Sequence, residues 1–117
     1  MEKGRVMRLR ITVMPRKGQI HIGKDVIRII GSPDYVCLMQ REDKQTIAIG
    51  SCGKQHPMSF KVPGRLFIDG GCGMRITSSR FIGHLIESNN LSMIENKVIE
   101  GKYDSEINAV IFPLKVI

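Results

Sequence analysis

The sequence predicts an α+β domain that is mainly β: a small barrel made from two ββαββ units with two short helices. Three observations point there. Short runs of alternating apolar and polar residues recur along the chain, each bounded by Gly, Pro or Ser. Two stretches, near residues 24–30 and 78–88, change to the spacing of a helical face. The order of elements in residues 5–52 then returns in residues 57–117. At 117 residues the chain suffices for one domain, 1–117, with a modest core. Hydrophobic residues are 42% and aromatic residues 5%, a composition suited to an aliphatic β-rich interior and not to a disordered tail.

In VMRLRITV, Val6, Leu9, Ile11 and Val13 fall mostly on alternate positions, which predicts a strand with Arg8 and Arg10 on its outer face. MPRKG follows as a tight connection, with Arg16 and Lys17 at its tip and Gly18 closing it. QIHI turns Ile20 and Ile22 inward and His21 outward, and no nucleophile near His21 in the sequence gives it a catalytic task. KDVIRIIG changes period: Val26, Ile27 and Ile30 share a helical face, Lys24, Asp25 and Arg28 face out, and Gly31 stops the helix with Pro33 beyond it. A continuing strand is the rival reading, since Ile and Val favour one, but the spacing and the Gly-Ser-Pro stop favour a helix. YVCLMQ and QTIAIGSC are two further strands around the polar turn REDK.

The second half supplies extended segments in PMSFKV and RLFIDG, then a strand, GMRIT, with Met74 and Ile76 inward. SSRFIGHLIES is a short helix capped by Thr77 or Ser78, burying Phe81, Ile82 and Leu85. LSMIENKVIEGKYD and NAVIFPLKVI form a last hairpin turning around residues 105–107, with Ala109, Ile111 and Leu114 inward. The two halves correspond 54 residues apart in the strand (20 to 74, 22 to 76) and 55 in the helix (26 to 81, 27 to 82). A single ββαββ unit exposes too many strand edges and too little core to stand alone, whereas two interleaved units close a barrel. An α+β barrel or sandwich without internal symmetry is the alternative.

Charge is unevenly placed. Residues 1–72 hold 13 Lys and Arg against 6 Asp and Glu, and residues 73–117 hold 5 against 5, so the whole net charge of +7 belongs to the first part. Arg5, Arg8, Arg10, Arg16, Lys17, Lys24 and Arg28 form a cluster that would attract a polyanion by counterion release, or an acidic protein groove by the same field. Solubility alone is the plainer explanation of such a charge.

Other classes are disfavoured. There is no apolar run to span a bilayer and no apolar segment of a signal peptide in MEKGRVMRLR, so a cytoplasmic location is expected. Cys37, Cys52 and Cys72 are odd in number and lack paired ligand spacing, which argues against a disulfide framework and against a metal site. His21, His56 and His84 are scattered. GSCGKQH and DGGCGM lack the Gly-Lys-Ser/Thr ending of a phosphate loop, and the residues around Gly70–Gly73 read as a turn. Cys52 and His56 would make a nucleophilic pair only if the fold brought them together. No catalytic group and no cofactor is expected.

The segment GQIHIGKDVIRIIGSPDYVCLMQREDKQTIAI resembles the swapped-hairpin DNA-binding domain of the AbrB and SpoVT regulators and the MazE-type antitoxins. Gly18, Ile20, Ile22, the helix from Val26 to Gly31 and the hairpin from Val36 to Ile49 carry the likeness. It implies a cradle-like barrel, assembled in that family from two identical chains, with basic residues of the first hairpin and helix contacting DNA. By position these are Arg8, Arg10, Arg16, Lys17, Lys24 and Arg28. The chain departs from the pattern where Gly23 and Lys24 replace the usual helix-opening Pro, and where a second unit follows in the same chain.

Two functional classes stand. One is a nucleic-acid-binding regulator, with DNA favoured over RNA. The other is a small inhibitor from a phage or mobile element that blocks a nucleic-acid-processing enzyme, such as an anti-CRISPR protein acting on a Cas nuclease or its guide RNA. Association of two copies of this chain is left open by the sequence.

Overall fold

The computed structural model describes residues 7–40, 45–64, 73–89 and 91–114. Arg5, Cys72, the REDK turn at 41–44 and the segment 65–70 lie outside the described residues. Nine strands and two helices are present among the described residues: β1 Arg10–Met14, β2 Gln19–Gly23, α1 Lys24–Ile29, β3 Tyr35–Gln40, β4 Thr46–Ser51, β5 Ser59–Lys61, β6 Gly73–Thr77, α2 Ser79–Asn89, β7 Lys97–Glu100, β8 Lys102–Asp104 and β9 Ala109–Pro113. The strands make two antiparallel sheets, ordered β6-β2-β1-β7 and β5-β3-β4-β9-β8.

The first hairpin follows the alternation of its residues. β1 pairs with β2 with Ile11 opposite Ile22 and Val13 opposite Ile20, and all four side chains are buried. Pro15–Lys17 form a single 3-10 turn between them. Gly18 ends that turn at φ +60, where an L side chain is strained, and a Cβ there would lie 2.7 Å from Ser79 Oγ. The period changes at Lys24 as expected: α1 buries Val26 and Ile27, and the Ser32 N–H donates to the Ile27 carbonyl at 2.9 Å to close its C-terminal end around Gly31. α2 starts where Ser78 Oγ accepts from the Phe81 N–H at 3.4 Å, and it buries Ile82 and Leu85.

One core joins the two sheets. Val26 and Ile27 of α1, Ile82 and Leu85 of α2, Ile11, Ile20 and Ile22 of the first sheet and Val36, Leu38, Ile47, Ile49, Val110 and Phe112 of the second belong to the same cluster, with Phe81 packed against it half-buried. The contact between Asn108 and α1 adds a polar tie, as Asn108 Nδ2 donates to the Ile30 carbonyl at 3.1 Å while Tyr103 donates to Asn108 Oδ1.

Four expectations are corrected. The first strand begins at Arg10, so Arg8 and Leu9 precede the ladder, and Val6 lies outside the described residues. The segment expected as one strand of the last hairpin is two strands: β7 pairs with β1 in the first sheet, and β8 pairs with β9 in the second. The chain changes sheets at Gly101, whose N–H donates to the Leu9 carbonyl at 2.7 Å. A Cβ at Gly101 would lie 2.6 Å from the Phe112 ring and 2.8 Å from the Ile111 carbonyl oxygen, so the crossing has no room for a side chain. In β9 the core residues are Val110 and Phe112, opposite Ile49 and Ile47, while Ile111 is only half-buried. Ala109 and Leu114 are buried as expected, Leu114 lying just beyond β9, where its N–H donates to the Gln45 carbonyl at 2.7 Å.

The fourth correction concerns the cysteines. Cys37 and Cys52 form a disulfide, with Cα atoms 5.8 Å apart. Val36 stands opposite Ser51 in the β3–β4 ladder, which sets Cys52 beside the start of β3. That register depends on how the hairpin turns, and a sequence separation of 15 does not disclose it.

Candidate nucleic-acid interface

The outer face of the four-stranded sheet is built by the same alternation that buries its inner face. Since Ile11 and Val13 point inward, Arg10 and Thr12 point out; since Ile20 and Ile22 point inward, Gln19, His21 and Gly23 point out. Pairing then aligns Val98, Thr12, His21 and Arg75 in one row across β7, β1, β2 and β6. The neighbouring row is Glu100, Arg10, Gly23 and Gly73. Two glycines side by side leave that row low beside Arg10, and the first turn of α1 walls it with Lys24 and Asp25. The result is a surface depression of about 340 Å³ lined by Arg8, Arg10, Thr12, His21, Gly23, Lys24, Asp25 and Val98.

The sequence-derived cations divide on this surface. Arg8, Arg10 and Lys24 converge on the depression. Arg28 sits on α1 with a guanidinium nitrogen 3.8 Å from Asp25 Oδ1, so part of its charge is answered within the helix. Arg16 and Lys17 are exposed in the 3-10 turn at the other end of β2, beside the start of α2, where Ser78 N–H donates to the Gly18 carbonyl. Five residues of strand separate them from Lys24, which at about 3.3 Å per residue is a span of some 16 Å. The seven cations expected as one cluster therefore include two described groups, and Arg5 falls outside the described residues.

The electrostatics of the depression are mixed. Asp25 Oδ2 accepts from the Arg8 backbone N–H at 3.0 Å, which draws the chain before β1 onto α1 and sets a carboxylate among the cations. His21 has its pKa lowered from the ordinary histidine range near about 6.5, first by burial and then by the positive charge of Arg75 opposite it. Its imidazole is neutral at pH 7 and so presents one donor and one acceptor to a ligand.

Arg75, Thr12, Asp25 and Val98 were not among the sequence-derived site residues. Alternation in GMRIT already turns Arg75 outward; what the sequence does not state is that β6 lies against β2. The structure also brings Cys52 and His56 together with Cys37, on the other sheet, with Cys52 held in the disulfide. No helix among the described residues is long and apolar enough to cross a membrane. Comparison of the chain with models of known protein families, with curated proteins and with solved structures finds no match in any of the three.

Proposed function

We propose that the protein is a nucleic-acid-binding regulator of AbrB-like type that receives the phosphate backbone of DNA on the outer face of its four-stranded sheet. The observation that carries this is the convergence of Arg8, Arg10 and Lys24 on one depression, floored by Gly23 and flanked by the neutral His21. Flexible cations around a low, glycine-floored surface suit a charged backbone, and His21 and Thr12 add polar groups for hydrogen bonds. On this reading the protein is a binding protein of the cytoplasm and not an enzyme.

The architecture we infer is a cradle-like barrel of two related ββαββ units, about residues 5–52 and 57–117. Its support is in the strand registers. β2 and β6 pair antiparallel about His21 and Arg75, 54 residues apart (21 to 75), the separation at which the sequence pattern repeats. Two copies related by a local twofold axis would pair in this way. β4 and β9 pair likewise about Ala48 and Ile111, 63 residues apart (48 to 111). The larger separation reflects added chain in the second unit, part of it in α2, which has 11 residues where α1 has 6. The passage of residues 97–104 from one sheet into the other fits a barrel wall.

The test is fluorescence anisotropy of labelled duplex DNA and duplex RNA over a range of salt. The expected result is DNA binding whose log affinity falls against log salt with a slope of about −3, one phosphate for each of three cations. Absence of DNA binding at low salt overturns the reading.

A second reading is favoured by exposed apolar groups, one of them in the depression itself. Val98 is 54% exposed within the depression, and Met93 and Ile94 on the loop before β7 are 75% and 59% exposed. An exposed apolar group beside cations, as Val98 is, suits a protein partner, as for a small inhibitor of a Cas nuclease or another nucleic-acid enzyme. Capture of such an enzyme by the wild-type chain, lost on Val98→Asp, would favour this reading over the first.

A further inference from the structure

The five-stranded sheet carries a second convergence of reactive side chains. Cys37 in β3, Cys52 just after β4 and His56 in the loop before β5 each bring one donor atom to within 4.8 Å of the others. Among the described residues they are the one group of three His, Cys, Asp or Glu side chains so gathered. We propose that they form a redox-gated zinc site: a disulfide when oxidised, and when reduced a centre in which two thiolates and an imidazole nitrogen hold one Zn²⁺, with water as the fourth ligand.

The donor set selects the ion. Two thiolates and one imidazole are the ligands of zinc, and a hard oxygen-seeking ion such as Mg²⁺ would find nothing suited to it. Bonds of about 2.3 Å to sulfur and 2.0 Å to nitrogen, arranged tetrahedrally, hold the ligands about 3.5–3.8 Å apart. The His56 donor already lies within 4.8 Å of both sulfurs, and the sulfurs, bonded in the disulfide, reach that spacing once the bond is reduced.

The surroundings hold two of the three ligands in place. Cys37 is 2% exposed and lies in a strand paired on both sides, opposite Gly50 and Ser59. The Cys52 N–H donates to the Tyr35 carbonyl at 3.2 Å, extending the ladder to the second ligand. The loop is closed on itself, His56 N–H donating to the Gly53 carbonyl and Ser59 Oγ to the Lys54 carbonyl. His56 is exposed and Cys52 half-buried, so an ion has an entry path from solvent. His56 Nδ1 accepts from the Met58 N–H at 3.0 Å. Ligation through Nδ1 exchanges that bond for the metal; ligation through Nε2 places the proton on Nδ1 and turns the Met58 N–H toward water. The loop is exposed, so either exchange is accommodated.

The chemistry balances. A thiol reductant donates two electrons and two protons: the Cys37–Cys52 Sγ–Sγ bond breaks, two S–H groups form, and the reductant becomes a disulfide. Zinc then displaces both protons to solvent as two Zn–S bonds form.

The full chain, reduced and kept anaerobic, is titrated with Zn²⁺ against a colorimetric chelator, and with Co²⁺ for its absorption spectrum. One zinc per chain is expected in the reduced form and none in the oxidised form, with cobalt bands showing thiolate ligands in a tetrahedral field. His56→Ala weakens the zinc affinity by about tenfold or more. Cys52→Ser removes one thiolate band, and Cys72→Ser leaves both measurements unchanged. Cys37 is buried and its replacement risks the fold, so His56 and Cys52 bear the test. The proposal is overturned if the reduced chain yields its zinc fully to the chelator, if His56→Ala binds as tightly as the wild type, or if Cys72→Ser abolishes binding.

Discussion

The two sheets share a core but treat their second faces differently. In β2 every other residue is buried, so the strand has a dry face and a wet one. In β3 Val36, Cys37 and Leu38 are buried in succession, and in β4 Ile47 to Gly50 are. A strand wet on one side can carry Arg10 and His21 at no expense to the core, whereas a strand covered on both sides excludes charge and gives over its second face to small groups such as Ala48 and Gly50. Of the two sheets it is the four-stranded one whose outer face can carry the cations that the proposed DNA binding requires.

This contrast is sharpest at Phe112, which is fully buried and stands opposite Ile47 in the centre of the five-stranded sheet. Phe112→Ala is expected to lower the unfolding free energy by about 3–5 kcal/mol, read by chemical denaturation, because the surrounding strands cannot close the void. A loss below about 1 kcal/mol would mean the two sheets do not share a packed interior. Gly101→Ala strikes the crossing between the sheets. The new methyl meets the Phe112 ring and the Ile111 carbonyl, and a loss of about 1–3 kcal/mol is expected in the same measurement.

The wet face responds in the opposite sense. Arg10→Ala should leave stability within about 0.5 kcal/mol of the wild type, since Arg10 is exposed, while reducing the salt slope of DNA binding by about one. Arg16→Ala at the far end of the sheet should change that slope less than Arg10→Ala does; equal effects would show that both cationic groups engage one ligand. The smallest effect is that of His21. Its pKa is lowered in the folded chain, so the unfolded chain binds the proton more readily, and stability is fully present above the ordinary histidine range and declines as pH falls through it. Comparing the pH dependence of unfolding with that of His21→Gln isolates this contribution. An anion bound beside His21 favours the imidazolium, so DNA binding should be accompanied by proton uptake as pH is lowered, which is measured by calorimetry in buffers of different ionisation enthalpy.

Much of this arrangement is written in local pattern. Alternation placed Ile20, Ile22, Met74 and Ile76 inside, the 3.6-residue period placed Val26, Ile27, Ile82 and Leu85 inside, and the Gly18 turn and Gly31 stop were recognisable from residue type. Gly101 was not, because a glycine within a strand pattern does not say that the chain changes partners there. Val110 and Phe112 are not distinguishable from Ile111 by pattern, because an apolar run buried on both faces has no period to read. Within the candidate interface, Arg8, Arg10 and Lys24 were found from charge, whereas Arg75 and Asp25 reach the same surface through a strand neighbour and a helix turn.

The residues by themselves determined the mainly β class with two helices, the inner and outer sides of the regular strands, and the excess of cations in residues 1–72, because these depend on spacing and composition along the chain. Tertiary structure decided which strands are neighbours, and hence that Arg10 shares a depression with Lys24 but not with Lys17, and that Cys37 meets Cys52 and His56. Strand pairing is a choice among distant segments, made by how all apolar faces are buried at once, and no local stretch of sequence contains it.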